Sequence, residues 1–304
     1  MNQDMHGLWP AVLKPLAADG KLDIPRTLAH CKHLIASGCN GVAIFGTTGE
    51  GTAFTLAERT GLLEALLAGG LQPAQIVVTT SASAVEDAIA LGRHASARGC
   101  HRQLYMPPFY FRNPPEAGVV ECVSSVVRGI GDPKLKVLLY HIPALSSVRF
   151  SHDAIRTLVE RHPGAVIGAK DSSGDRAHGL ALAKAFPELS ILVGAEQYVA
   201  EVMNVGGSGS INGLANVSPA LMARIVAAPT QVAPSDAQLV LDLLALLSVR
   251  PDMNFVAVYK TMLAEQTGED AWLRVRLPLL PLSAEEAQAV RSGYRAIGDA
   301  LSRV

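Results

Sequence analysis

The chain of 304 residues is 49% hydrophobic and 17% charged, with 26 Lys and Arg against 27 Asp and Glu and a formal net charge of −1. That is the composition of a soluble globular protein. A single domain of this size buries roughly three quarters of its unfolded surface, so neither disulfides nor a structural metal is required. A near-neutral chain has no global charge to draw phosphate backbones or anionic lipid, which argues against nucleic-acid and membrane partners and for a small-molecule one.

The longest strongly apolar runs, such as Val240–Val249, fall well short of the eighteen or more residues of a bilayer span, and no transmembrane helix is expected. The opening MNQDMHGLWP has neither the basic start nor the apolar stretch of a secretion signal, so a cytoplasmic location is expected. Cys31, Cys39, Cys100 and Cys122 stand at no metal or redox spacing and read as small apolar residues in a reducing compartment.

In chain order, the first apolar run, WPAVLK, ends at Lys14, and the second, GVAIF, ends at Phe45 and passes into Gly46-Thr47-Thr48-Gly49-Glu50. A helix with a capping box at Thr55 and Glu58 follows, then the run IVVTT to Thr80 and a second capping box at Ser83 and Glu86. RQLYM to Met106 and KVLLY to Tyr140 come next. Ser151 then stands before the helical positions Ile155, Leu158 and Val159. VIGAK to Lys170, SILVG to Gly194 and GSIN to Asn212 complete eight runs, mostly spaced to leave room for a helix and two loops between neighbours. From Ala233 no strand-like run appears; three helical stretches, at 235–249, 253–266 and 283–301, close the chain, the last opening with a capping box at Ser283 and Glu286.

Continuous hydrophobic runs are the mark of parallel strands covered on both faces. Eight βα units fit a closed (β/α)8 TIM barrel of about 250 residues better than an open sheet. The predicted fold is therefore α/β, a TIM barrel over residues 1–228 with a C-terminal three-helix extension over 229–304 packed on it; no linker separates the two.

Barrel active sites lie at the C-terminal ends of the strands. The second strand ends in a turn whose glycines let backbone N–H groups approach an anion beside two hydroxyls, which suits a carboxylate or phosphate, although a plain Gly-containing βα turn has the same pattern. Lys170 ends the sixth strand and is expected to point into the mouth, where desolvation favours the neutral amine. A neutral amine forms a Schiff base with a 2-oxo acid and makes the carbonyl carbon an electron sink; the alternative is a structural lysine paired with Asp171. Tyr140 closes the adjacent strand, so its hydroxyl falls within reach of Lys170 and Thr47. A proton relay follows, unless the hydroxyl is merely capped by backbone.

Gly46-Thr47-Thr48-Gly49-Glu50, Tyr140-His141-Ile142-Pro143 and Gly168-Ala169-Lys170-Asp171-Ser172-Ser173-Gly174-Asp175 resemble, in order and spacing, the signature segments of the dihydrodipicolinate synthase/N-acetylneuraminate lyase family. The resemblance covers essentially the whole chain. It implies a class I lyase or aldolase with Lys170 as Schiff-base lysine, Tyr140 as general acid/base, and Gly46, Thr47 and Thr48 as the turn that holds the carboxylate of pyruvate or another 2-oxo acid and links the relay. It further implies that Tyr110 is lent to a neighbouring subunit, hence a homo-oligomer, a tetramer built as a dimer of dimers. Gly194 and Ile211 match positions lining the pyruvate pocket.

The departures bear on substrate. Pro143 is followed by Ala144 and Leu145, without the arginine that dihydrodipicolinate synthases place two residues on to bind the aldehyde's carboxylate. Ser172 stands where lyases and sugar-acid aldolases keep a hydroxyl, and Glu196 matches an acidic position the lyases use for the sugar chain. A lyase acting on N-acetylneuraminate or a 2-keto-3-deoxy sugar acid is therefore expected. The alternatives are dihydrodipicolinate synthase, a 2-keto-3-deoxy acid dehydratase, a phosphate-binding barrel using Gly206, Gly207, Gly209 and Gly213, and a catalytically silent sugar-acid sensor. His141 replaces the usual Asn and Lys14-Pro15 the common Thr-Pro. His30 and His33 lie at i, i+3 without an evident third ligand, and neither metal nor cofactor is expected.

Overall fold

The computed structural model describes residues 5–250 and 255–301. Eight parallel strands, β1 (Gly7–Pro10), β2 (Val42–Ile44), β3 (Ile76–Thr79), β4 (Arg102–Tyr105), β5 (Lys136–His141), β6 (Val166–Asp171), β7 (Ser190–Val193) and β8 (Gly209–Asn212), pair in sequence order, and β1 pairs with β8. A single parallel bridge between Ala11 and Ala43 joins β1 to β2 and closes the TIM barrel. Helices α1 (Ile24–Ala36), α2 (Leu56–Ala68), α3 (Val85–Ala97), α4 (Glu116–Ile130), α5 (Pro143–Ser146), α6 (His152–Arg161), α7 (Arg176–Ala185), α8 (Val199–Met203) and α9 (Pro219–Ala227) lie between and after the strands. Three more, α10 (Pro234–Ala245), α11 (Phe255–Thr267) and α12 (Ala284–Leu301), end the described chain, and the first two residues of the predicted 253–266 stretch lie outside the described residues.

Two cores follow from the alternation of side chains along the strands. Trp9, Ala43, Val77, Leu104, Leu138, Tyr140, Ile167, Leu192 and Ile211 fill the barrel interior. Leu8, Val42, Ile44, Val137, Leu139, Ala169, Ile191 and Val193 face the helices. Tyr140 and Lys170 turn into the barrel mouth and His141 and Asp171 outward, because β5 and β6 run in register Tyr140 to Lys170 and His141 to Asp171 beyond a register shift at Val137/Leu138, which lets Ile167 and Lys170, three residues apart, share the inner face.

Several local boundaries differ from the sequence expectation. The first strand stops at Pro10, short of Lys14, because the Leu13 N–H leaves the ladder for the Asn216 side-chain oxygen at 2.9 Å. The fifth and sixth strands each run one residue further than expected. The Thr55–Glu58 capping box forms, and Ser151 caps α6. Ser283 and Glu286 exchange the two hydrogen bonds of a capping box ahead of α12. The box at Ser83 and Glu86 does not form: α3 begins at Val85 with Ala84 at the cap, which leaves Ser83 one residue outside. Glu86 and Asp87 instead set two acids in the first turn, where they favour the helix dipole.

Candidate active site

At the mouth, the Lys170 amine donates to the Tyr140 hydroxyl at 3.3 Å, and the Tyr140 hydroxyl donates to Thr47 Oγ1 at 3.1 Å. Three strand ends thus supply a continuous chain of polar hydrogens. Lys170 and Tyr140 are 4% and 3% exposed, so both hold this geometry within a water-poor wall. A cavity of about 230 Å³ opens on them, lined also by Thr48, Ile142, Ser172, Gly194, Glu196, Ile211, Asn212 and Tyr259.

The turn after β2 supplies the anion-binding features of this cavity. Glu50 N–H donates to the Thr47 carbonyl at 2.9 Å and Gly51 N–H to the Gly46 carbonyl at 3.0 Å, which folds the segment back on itself. Thr48 and Gly49 are buried, yet neither of their amide N–H groups has an acceptor among the described residues. A buried N–H without an acceptor is unusual in a folded protein, and two successive ones beside a threonine hydroxyl form a cradle for a carboxylate. Gly46 lines a second cavity of about 300 Å³, which shares Thr47, Tyr140 and Leu145 with the first.

Opposite the lysine, Gly194 sits so close to β6 that a Cβ would come 2.1 Å from the Ser172 hydroxyl, so a glycine here leaves that hydroxyl room at the rim. Glu196 is pinned through one oxygen: Oε1 accepts from Gly213 N–H at 3.1 Å, Leu214 N–H at 3.0 Å and the Tyr259 hydroxyl at 3.3 Å. Burial pushes its carboxyl above the usual carboxylate range, and the two amides and the phenol oppose that shift. Tyr259 and Phe255 reach the cavity from α11, a helix buried on every side from Val256 to Ala264. Sequence reasoning missed both. A helix with no polar face gives no periodicity that would mark one of its aromatics as functional.

The other residues singled out from the sequence lie elsewhere. Tyr110 is 78% exposed and edge-stacked on Phe111, itself 77% exposed, outside both cavities. Glu50, the last residue of the turn, lines the second cavity but not the one that opens on Lys170, and pairs with the Lys260 ammonium at 2.5 Å, both side chains buried. His30 is turned into the core, its Nε2 3.1 Å from Asn216 Oδ1, and burial lowers it to about 4.

On the outer side of the same strand ends, His141, Asp171 and His178 gather with their ligand atoms within 4.8 Å of one another. His141 Nδ1 accepts the Phe150 N–H at 3.2 Å, so its remaining hydrogen is on Nε2 and no lone pair is left there for a cation. The two imidazoles stack at 4.5 Å with 12° between planes, and lone pairs in parallel planes do not converge. The cluster therefore fits an ion pair, His178 Nδ1 to Asp171 Oδ2 at 3.1 Å, lying against a neutral His141.

Comparison with known proteins places this architecture. A sequence profile described as the dihydrodipicolinate synthetase family matches residues 4–297. An uncharacterized DapA-like lyase of Chloroflexus aurantiacus is 33% identical over 300 residues, covering 96% of this chain and 97% of its own. A 4-hydroxy-tetrahydrodipicolinate synthase of Azoarcus is 31% identical over 219 residues, 72% of this chain and 73% of its own. Among solved structures, dihydrodipicolinate synthase from Agrobacterium tumefaciens superposes with a TM-score of 0.89 at 32% identity, covering 96% of this chain and 99% of its own. The sialic acid aldolase of Ruminococcus gnavus shares the fold, with a TM-score of 0.87 at 22% identity over 98% of each chain.

Proposed function

The chain belongs to the dihydrodipicolinate synthetase family, and on that premise we propose that it is a Schiff-base lyase in which Lys170 carries the chemistry on a 2-oxo acid. The observation that carries the reading is the unbroken contact chain Lys170–Tyr140–Thr47 beside the two amides of the turn that have no acceptor among the described residues. The substrate carboxylate lies on Thr48 and Gly49. The Lys170 nitrogen attacks C2, a C–N bond forms, and the former carbonyl oxygen leaves as water, protonated by Tyr140 with Thr47 as the next member of the relay.

In the cleavage direction Tyr140 then accepts the proton of the C4 hydroxyl. The C3–C4 bond breaks and its electron pair passes into the iminium to give an enamine, which takes a proton at C3 and is hydrolysed to the free 2-oxo acid. For the far end of the substrate we propose a hydroxylated chain, a 2-keto-3-deoxy sugar acid or N-acetylneuraminate, read by Ser172, Glu196 and Tyr259. Ala144 and Leu145 line the wall where a synthase would offer an arginine, and among the described residues Lys170 is the one cation lining the cavity of about 230 Å³, Arg276 lying in the adjoining one, where it pairs with Glu58. Condensation of pyruvate with aspartate semialdehyde would bring a second carboxylate into that wall without a partner charge. Dehydration of a 2-keto-3-deoxy acid uses the same imine and is the second reading.

We further propose a cytoplasmic homo-oligomer, supported by four unpaired cysteines and by the outward-facing Tyr110–Phe111 pair. The chemistry is tested by adding pyruvate and borohydride and following the intact mass. A covalent adduct on the unaltered chain that is lost in Lys170→Ala is the expected result; no adduct with any 2-oxo acid overturns the mechanism. Pyruvate release from N-acetylneuraminate and 2-keto-3-deoxy sugar acids, run beside condensation with aspartate semialdehyde, separates lyase from synthase.

A further inference from the structure

Beneath the Gly46–Glu50 turn lies a lysine that the chemistry above does not use. Lys14 is 0% exposed and lines neither cavity. Its ammonium carbon stem is enclosed by aromatic rings, with Nζ 4.8 Å from the Phe45 centroid and 5.0 Å from that of Phe54, and the amine donates to the Gly49 carbonyl. This long buried side chain ends on one backbone oxygen of the turn.

The cradle needs such a hold. Phe45 and Glu50, which bracket it, have φ of 62° and 55°, a left-handed conformation that is costly for residues with a Cβ and persists only where surrounding contacts impose it. At the Glu50 end the carboxylate is fixed by Lys260, and by the Arg276 N–H at 2.6 Å. At Gly49, among the described residues, Lys14 alone holds the carbonyl. That oxygen shares its peptide with the Glu50 N–H, which donates to the Thr47 carbonyl at 2.9 Å; with both sides of the Gly49–Glu50 peptide held, the Thr47–Glu50 turn keeps a shape in which the Thr48 and Gly49 N–H groups have no acceptor among the described residues.

We propose that Lys14 is a positioning residue for carboxylate recognition, which by holding the Gly49 carbonyl keeps the Thr48 and Gly49 amides open to a 2-oxo acid; this rests on the reading of the turn as the carboxylate site of a Schiff-base lyase. The hold does not depend on charge. Burial brings the Lys14 amine down to about 7 against the opposing charge of Glu50, with Lys260, Arg59 and Cys31 the other groups facing it, and either form has a hydrogen to donate.

Lys14→Met keeps the length and apolar stem and removes the donor. Calorimetric affinity for pyruvate is expected to fall about tenfold, the scale of one lost hydrogen bond to a group that shapes a charged site. Borohydride trapping of hydroxyacetone, a ketone without a carboxylate, is expected to stay within about twofold, a difference that a merely structural lysine does not produce. Equal losses for both ketones, or an unchanged pyruvate affinity, overturn the proposal, as does an unaltered chain that binds no pyruvate. Lys14→Leu, which also removes the donor on a shorter apolar stem, is measured in parallel and carries the same outcomes if the Met chain does not fold. Pyruvate binding without an adduct on the unaltered chain sinks the Schiff-base reading and leaves Lys14 tested by calorimetry.

Discussion

Each polar group at the mouth is placed by one strand-end residue whose neighbour on the same strand does something else. Tyr140 and Lys170 enter the barrel, whereas His141 and Asp171, one residue on, leave it; a shift of one residue in either strand would exchange the pairs. Because Tyr140 touches both Lys170 and Thr47, removing its hydroxyl would interrupt the proposed relay without emptying the site. Tyr140→Phe is expected to lower kcat for pyruvate release by roughly 10² to 10⁴ with half-saturation changed little, since general acid–base catalysis contributes on that scale. Steady-state kinetics on the cleaved sugar acid checks it, and a loss below about tenfold would assign proton transfer to another group. Lys170, Tyr140 and Thr47 were legible in the sequence because a polar residue closing an apolar run is conspicuous. Tyr259 was not, since its relation to Glu196 spans 63 residues of chain and two separate elements.

At the scale of elements, β5, β6 and α7 are latched behind the site by His141, Asp171 and His178. The Asp171 hydrogen bond raises His178 above its ordinary value, with burial opposing, the Asp171 and Asp175 charges adding and Arg149 subtracting. Burial of Asp171 works against its ionisation, but His178 and the Ser173 N–H together hold the carboxyl below its usual range. Burial, and then the charge of His178, lowers His141 to about 4 despite Asp171. For His178 the raised folded value means a contribution fully present below its unfolded pKa of 6.5 and lost as pH rises through the folded value. Asp171 contributes above 3.8 and loses that contribution as pH falls through its depressed value.

His141 acts in the opposite sense to a gained partner. Its folded value lies below its unfolded 6.5, so the unfolded chain binds the extra proton and stability falls as pH drops from 6.5 toward 4. His141→Asn should abolish that part of the acid loss, on the order of 2 kcal/mol at the acid end of the window. Urea unfolding of both chains at pH 6.5 and pH 4.5 measures it, and parallel losses in the two would show that His141 does not titrate in this way. The histidine itself was visible in the sequence as a departure from asparagine, but its stacking partner on α7 was not.

For the molecule as a whole, the C-terminal helices complete the barrel's working face. The fully buried α11 brings Tyr259 to Glu196 and Lys260 to Glu50, and the Arg276 guanidinium lies over Phe54 at 4.5 Å while pairing with Glu58. Breaking a buried pair such as Glu50–Lys260 leaves one charge without compensation, so this contact ties α11 to the turn after β2. The exposed Tyr110–Phe111 pair belongs to the scale above the chain. If Tyr110 serves a neighbouring subunit, light scattering should give an oligomer. Tyr110→Ala and Lys170→Ala chains, each nearly inactive alone, should then recover activity when dissociated and reassembled together, because a mixed pair holds one complete site. A fully active monomer, or mixing without recovery, removes Tyr110 from the relay.

By itself the sequence determined the barrel, its order of strands and the lysine, tyrosine and threonine at their ends, because hydrophobic runs, caps and strand-end residues are local signals that burial and backbone geometry impose within a few positions. Tertiary structure alone decided which groups meet: the Tyr259 clasp on Glu196, the Glu50–Lys260 pair, the histidine stack, and the reach of Lys14 to Gly49. Those contacts join segments tens to hundreds of residues apart, and their energies depend on desolvation and distance, which exist only once the chain has closed on itself.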